Sequence, residues 1–240
     1  MEIFTPAVVL RRFDSGESDQ ILWLLTADRG RLSAFAPGAR RSQRRFSRAS
    51  LEPFALVQAR LASPRRGELW RLAEAFPQEI LPSLRGSLEA IACAAAACEL
   101  CADLSREADP SPELYELLAA FLRRLDARLR FEDLFVLFLR ALDVAGLAPQ
   151  LAVCARCGGE PLPPEVFDPS EGGRLCARCP PRGPGAVRVR SDSLRALAAA
   201  QAGELVPLSP DARTLLWRYL EQQTSKRLSS RKLLEELGLA

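Results

Sequence analysis

A chain of 240 residues, 48% hydrophobic and 26% charged with a net charge of +3, can bury a substantial core in one large domain or two to three small ones. No apolar run approaches the roughly 20 residues that span a bilayer; the nearest, 88–104, carries Glu89, Glu99 and Asp103. The complete absence of histidine excludes Ser-His-Asp and Cys-His catalysis, and no P-loop, G-x-G-x-x-G or paired acidic motif stands out, so a binding protein is expected and an enzyme is not.

In chain order, the first eighty residues read as short strands. Ala7-Val8-Val9-Leu10 ends at Arg11-Arg12 before a polar turn, Asp14-Ser15-Gly16-Glu17. Ile21–Thr26 follows, then the turn Ala27-Asp28-Arg29-Gly30, then Leu32–Ala36. Leu51 to Leu61 carries a fourth run, with Pro53 near its start where a strand tolerates it, and Leu69–Leu72 opens a fifth. Five short strands without a helical period predict a small closed barrel of the OB-fold type over residues 1–80.

Between the third and fourth runs lies Pro37-Gly38-Ala39-Arg40-Arg41-Ser42-Gln43-Arg44-Arg45-Phe46-Ser47-Arg48. Five arginines in this stretch are unsuited to a core, and their mutual repulsion predicts a mobile, exposed loop. Guanidinium forks bind phosphate in bidentate fashion, and Phe46 offers a stacking face. The first 72 residues hold thirteen Arg/Lys, all arginine, against seven Asp/Glu, while the remainder is net acidic, so a polyanion is expected at the N-terminal end. The candidate nucleic-acid contacts are Arg40, Arg41, Arg44, Arg45 and Arg48, with Arg11, Arg12, Arg29 and Arg31 as additions from neighbouring strand ends. A solvated charge run is the bland alternative.

Beyond residue 80 the period becomes helical. Leu88–Leu104 is alanine-rich, with Cys93, Cys98 and Cys101 expected as small core residues. Leu114, Leu117, Leu118, Phe121, Leu122 and Leu125 follow i, i+3, i+4 spacing after Ser111-Pro112, an N-cap followed by a first-turn proline. Phe131–Leu142 is apolar nearly all round, predicting a buried helix closed by Gly146. Helices are also expected over Ser193–Ala200, Asp211–Thr224 and Arg231–Leu237.

Cys154-Ala-Arg-Cys157 and Cys176-Ala-Arg-Cys179 are paired C-x2-C knuckles. Four soft sulfur ligands at this spacing suit one tetrahedral zinc, and four protein ligands leave no open position, so the ion is expected to be structural. A pair of disulfides or plain buried thiols is the alternative. The insert is placed at 151–184 within an α-helical domain made of 81–150 and 185–240, giving an α+β multidomain chain. The N-terminus, Met1-Glu2-Ile3-Phe4, shows no basic secretory n-region, and zinc-ready thiols without export predict a reducing cytoplasm.

Several stretches together resemble one family: Val9-Leu10-Arg11-Arg12 followed by Gly16-Glu17-Ser18-Asp19, Leu24-Leu25-Thr26 leading to Gly30, Gly38-Ala39-Arg40-Arg41-Ser42, Leu51-Glu52-Pro53-Phe54, and the four cysteines. They are similar to the RecO family of bacterial recombination mediators. The resemblance implies binding of single- and double-stranded DNA, annealing of complementary strands without nucleotide hydrolysis, and help, with RecR, in loading RecA onto coated strands. It also implies contact with the acidic C-terminal tail of single-strand-binding protein and a cytoplasmic, nucleoid-associated location. No membrane or small-molecule substrate is expected. Arg123, Arg124, Arg128 and Arg130 are candidate rim residues for the tail. The alternative function is a zinc-ribbon adaptor of the transcription-factor type, without annealing activity; a divalent-ion nuclease is the remaining enzyme reading.

Overall fold

Five strands form from the first eighty residues: β1 (Glu2–Ser15), β2 (Asp19–Thr26), β3 (Gly30–Ala36), β4 (Leu56–Ala62) and β5 (Trp70–Glu79). They close into a barrel in the order β1-β2-β3-β5-β4, with β3 and β5 parallel and the other neighbours antiparallel. That is the five-stranded closure of an OB-fold. The computed structural model describes residues 1–42, 44–64, 67–160, 165–182 and 185–239. Gln43, the side chain of Arg48, and residues 161–164 and 183–184 of the expected insert lie outside the described residues. The chain forms two compact units, Met1–Leu129 and Arg130–Ala240.

Strand β1 is longer than its apolar run predicts, continuing through Arg11 and Arg12 to Ser15. A register shift between Val9 and Arg11 bends it, so that Glu2–Val8 pairs with β4 and Ala7–Ser15 pairs with β2. One bulged strand thereby serves both of its neighbours and helps to close the barrel. The fourth strand begins at Leu56, later than expected, because Arg48–Leu51 forms a 3-10 turn in which the Ser47 hydroxyl accepts the Ser50 N–H at 3.2 Å. The irregular stretch that follows answers the bulge: Val9 N–H donates to Ala55 O at 3.0 Å, and Phe54 N–H donates to Val9 O at 2.8 Å.

Inside the barrel, Val9, Leu22, Leu24, Leu32, Val57, Leu61 and Leu72 pack around Ala34, Ala36, Ala59 and Ala75. Val8, Leu10 and Leu25 are also buried but on the outer surface, where α1 (Leu88–Leu104) and α2 (Pro112–Ala127) lie against β1 and β2. Gly30, in the tight turn between β2 and β3, has φ 65°. A Cβ there would overlap the Asp109 carbonyl, so the approach of the α1–α2 connection requires glycine at this position. Cys93, Cys98 and Cys101 are buried on α1. Burial pushes the thiols of Cys93 and Cys101 up to about 12, as befits inert core residues.

The second unit contains α3 (Phe131–Val144), α4 (Ser191–Gln201), α5 (Pro210–Thr224) and α6 (Arg231–Glu236). Phe138 meets Trp217 edge-on at 5.2 Å. Between α3 and α4 the chain makes β6 (Val166–Asp168), β7 (Gly173–Leu175) and β8 (Val187–Arg188), a small sheet ordered β7-β6-β8. Its strands of two or three residues are too short to register as a period in the sequence. Among the described residues no helix is long and apolar enough to cross a membrane.

Candidate nucleic-acid interface and metal centre

The arginine-rich segment has a defined path, against the expectation of a loose loop. Asp19 anchors it by accepting the Gly38 N–H at 2.7 Å; that bond, with a second from the Ser18 hydroxyl, holds the Asp19 carboxyl below its ordinary range. Arg41 and Ser42 N–H groups both donate to Gly38 O, and Arg40 N–H donates to Ser18 O at 3.0 Å. Arg45 folds back onto the segment, its guanidinium donating to Pro37 O at 2.8 Å and to the Ser42 hydroxyl at 3.2 Å.

Phe46 is 2% exposed and belongs to the barrel core, where it bridges to Ala75. Its ring offers no face to a base, which corrects the stacking role expected from its neighbours in sequence. An aromatic residue among arginines is here the plug that fastens a charged loop to an apolar barrel, with the Arg45 guanidinium 5.1 Å from its ring.

Arg40, Arg41 and Arg44 of the loop face solvent. Arg40 and Arg41 make long contacts of 3.7 Å to Asp14 and Glu17, and all four side chains are more than half exposed. Pairs of this kind contribute little and exchange readily for phosphate oxygens. Arg44 is exposed and makes no ion pair among the described residues. Arg12 pairs with Glu52 at 2.7 Å and lines a cleft with Arg40, Ser42 and Ser47.

Arg11 has different work. It meets Glu99 of α1 at 3.1 Å, and Glu99 is 5% exposed. Its guanidinium lies 5.5 Å from the Trp23 ring, while Arg31 lies 5.1 Å from the same ring and donates to Ala102 O at 3.0 Å. Diverting Arg11 to a phosphate would take a cation away from a buried carboxylate. Arg11 and Arg31 therefore brace the barrel against α1.

In the second unit, the sulfurs of Cys154, Cys157, Cys176 and Cys179 all lie within 4.8 Å of one another. Cys157 Sγ and Cys176 Sγ are 3.8 Å apart, far beyond a disulfide bond. A tetrahedron with sulfur arms of about 2.3 Å has edges of about 3.8 Å, so the spacing fits one ion and the four thiols could hold a metal. Each knuckle is a turn, closed by Gly158 N–H to Cys154 O at 2.8 Å and by Cys179 N–H to Cys176 O at 2.9 Å.

The backbone prepares the sulfurs for charge. Burial would raise the Cys154 thiol, but N–H groups of Cys176, Cys157 and Arg156 outweigh it and bring the group down to about 6. Cys179 is driven the other way, to about 12, by burial and by the sulfurs beside it. Four crowded thiolates repel one another, and a shared cation cancels that repulsion. Arg156 links the two knuckles through Glu171 at 2.6 Å and Pro180 O at 2.8 Å. At Gly173 a Cβ would overlap Gln150 O, so glycine lets β7 pass close to the segment at Gln150 that leads into the first knuckle.

Family comparison matches this geometry on both sides. Residues 1–79 match the model described as "Recombination protein O N terminal", and residues 85–233 match "Recombination protein O C terminal". The chain belongs to the RecO family. It is 44% identical over 244 residues to the DNA repair protein RecO of Anaeromyxobacter sp. (strain K), covering 96% of this chain and 95% of that protein. The DNA repair protein RecO of Myxococcus xanthus (strain DK1622) is 39% identical over 238 residues, covering 97% of each. That of Desulforudis audaxviator (strain MP104C) is 38% identical over 193 residues, covering 80% of this chain and 76% of that protein. The N-terminal RecO match ends where β5 ends, and the C-terminal match contains the four-cysteine cluster.

Sequence patterning did not bring Arg60 and Arg71 into the basic set of this RecO barrel. They share a groove of about 640 Å³ with Arg45 and Ser63. Both are single arginines inside strand patterns, and only the closure of β4 beside β5 brings them to the loop. In the helical part, Arg123 of the expected rim is held on Glu79 by a two-pronged bond at 2.7–2.9 Å. This engagement removes it as an open rim residue.

Proposed function

We propose that this RecO-family protein is a non-enzymatic mediator of DNA repair. It binds single- and double-stranded DNA, anneals complementary strands and, with RecR, helps load RecA onto strands coated by single-strand-binding protein. The observation that carries this reading is the rim formed by Arg12, Arg40, Arg41 and Arg44: cations set on a fixed barrel end, held only by weak or solvent-exposed partners. Arg45 contributes through its groove, and Arg48 follows in the same segment. Contacts of this kind are to phosphate, so little sequence preference follows. Neither a nucleotide cradle nor a histidine is needed for such work.

The four cysteines hold one structural zinc in this proposal. Cys154, Cys157, Cys176 and Cys179 pin the insert 151–184 into the helical part made of 81–150 and 185–240. The ion supplies crosslinking of the two knuckles and no chemistry on DNA.

The acidic tail of single-strand-binding protein needs apolar contact beside arginine. A groove of about 340 Å³ in the second unit provides that chemistry, with Val187, Val189 and Leu215 beside Arg188, Arg190 and Arg218, and Asp211 at its edge. It suits the tail better than Arg123 does.

Annealing of complementary strands, without ATP, on bare DNA and on DNA precoated with single-strand-binding protein, tests the reading. Faster annealing on both, lost when Arg40, Arg41 and Arg44 are neutralised together, is expected. No acceleration by the wild-type chain on either substrate overturns it and leaves the adaptor as the better account.

A further inference from the structure

Strand register assigns the outer surface of β1, β4 and β5 residue by residue. Phe4 stands opposite Arg60, which stands opposite Glu74; in the next row Pro6, Gln58 and Phe76 align; in the row before, Glu2, Ala62 and Arg71 align. The residues between them, including Val57, Ala59 and Leu61, point into the core, so these rows face outward. Phe4 is 61% exposed and Phe76 is 44% exposed. Two phenylalanines thus stand free on a sheet surface, diagonally across Arg60. Trp23, by contrast, is taken up by Arg11 and Arg31.

This surface runs into the groove lined by Arg45, Arg60 and Arg71 against a single carboxylate, Glu2. Arg45 O accepts the Ala75 N–H at 3.0 Å, which ties the arginine loop directly to β5. Arg60 binds Glu74 at 2.9 Å through one nitrogen, and its buried Nε has no hydrogen-bond partner among the described residues. Cationic groove and aromatic surface are therefore continuous with each other and with the loop.

We propose that Phe4 and Phe76 form a stacking platform for unpaired bases of a single strand whose phosphates pass Arg45, Arg71 and Arg60. Two strand spacings and a two-residue offset set the rings on the order of 12 Å apart. Bases of a stacked strand repeat at about 3.4 Å, so each ring takes its own base from a splayed strand. A duplex hides its base faces and gains nothing here, whereas a single strand gains a stacking contact at each ring. Cations alone would not discriminate between the two forms; the phenylalanines supply the discrimination. The charge of the groove selects nucleic acid over an apolar protein partner.

This inference rests on the DNA-binding reading above, and its test separates the two. Fluorescence anisotropy measures the affinity of the wild type, of Phe4→Ala/Phe76→Ala and of Phe4→Trp for a labelled oligo(dT) strand and for a duplex, across a salt series. The double alanine variant is expected to lose about tenfold or more on the single strand, with its salt slope and its duplex affinity unchanged; Phe4→Trp retains or raises single-strand affinity. Unchanged single-strand affinity of the double variant overturns the platform, as does an equal loss on both DNA forms. Retained DNA binding with lost self-association in sedimentation velocity also overturns it and makes the surface a contact between copies. If the wild type binds neither DNA form, the DNA-binding reading itself has failed.

Discussion

Arg11 of β1 reaches Glu99 of α1 at 3.1 Å, joining the barrel to the helix that lies on it through a carboxylate that is 5% exposed. Removing the arginine leaves that charge desolvated and short of its cation, which costs more than the net worth of the pair. Arg11→Ala is expected to lower unfolding stability by about 1–3 kcal/mol, read from urea denaturation midpoints. Arg11→Ala combined with Glu99→Gln recovers part of the loss. DNA affinity of Arg11→Ala measured on folded protein stays near wild type; a drop as large as that of the loop variants would return Arg11 to the DNA contacts.

Neutralising Arg40, Arg41 and Arg44 to glutamine addresses the rim directly. Each lost phosphate contact should flatten the plot of log affinity against log salt by about 0.9 on duplex and about 0.7 on a single strand. The three are exposed, so melting temperature should not move by more than a degree or two. An unchanged salt slope with the triple variant would place the DNA elsewhere on the molecule.

Phe46 supplies the contrast. Its burial in the barrel core predicts a loss of about 3–5 kcal/mol for Phe46→Ala, seen in thermal melting. Phe46→Leu keeps the plug apolar and is expected to retain DNA affinity at temperatures where it is folded. If Phe46→Leu instead weakens single-strand binding without destabilising the chain, the ring does stack on bases.

Phe46 also shows what could be read from sequence and what could not. Apolar runs and turn residues locate five strands, and five of them without a helical period point to a closed barrel; an alanine-rich run locates α1, i, i+3, i+4 spacing α2 and an all-round apolar run α3, and Ser111-Pro112 marks where α2 begins. The cysteine knuckles announce their own convergence because ligand spacing is local. Partners of single side chains are set by distant strands, so composition could not tell Phe46 from a stacking residue or Arg11 from Arg12. Arg12 ends up beside Glu52 on the rim and Arg11 beside buried Glu99, one residue apart and divided by a bulge at Leu10. Phe4 precedes the first apolar run and Phe76 follows the fifth, and only register puts both on the outer surface.

The metal centre yields a prediction that separates local from global folding. The four sulfurs lie within 4.8 Å of one another in the second unit, whereas the barrel has a core of its own. Purified protein is expected to carry about one zinc per chain. Chelation should raise hydrogen exchange around 150–159 and 172–180 while β1 to β5 keep their protection. Cys154→Ser is the informative variant: its sulfur accepts the Cys176 N–H at 3.5 Å and backbone N–H groups hold it toward thiolate. It should lose zinc at stoichiometric loading and expose the knuckles in the same way. Reloading the chelated protein should release protons, since the thiols that remain protonated must ionise to bind. Collapse of barrel protection on chelation, or full zinc retention in Cys154→Ser, would contradict a local four-sulfur site.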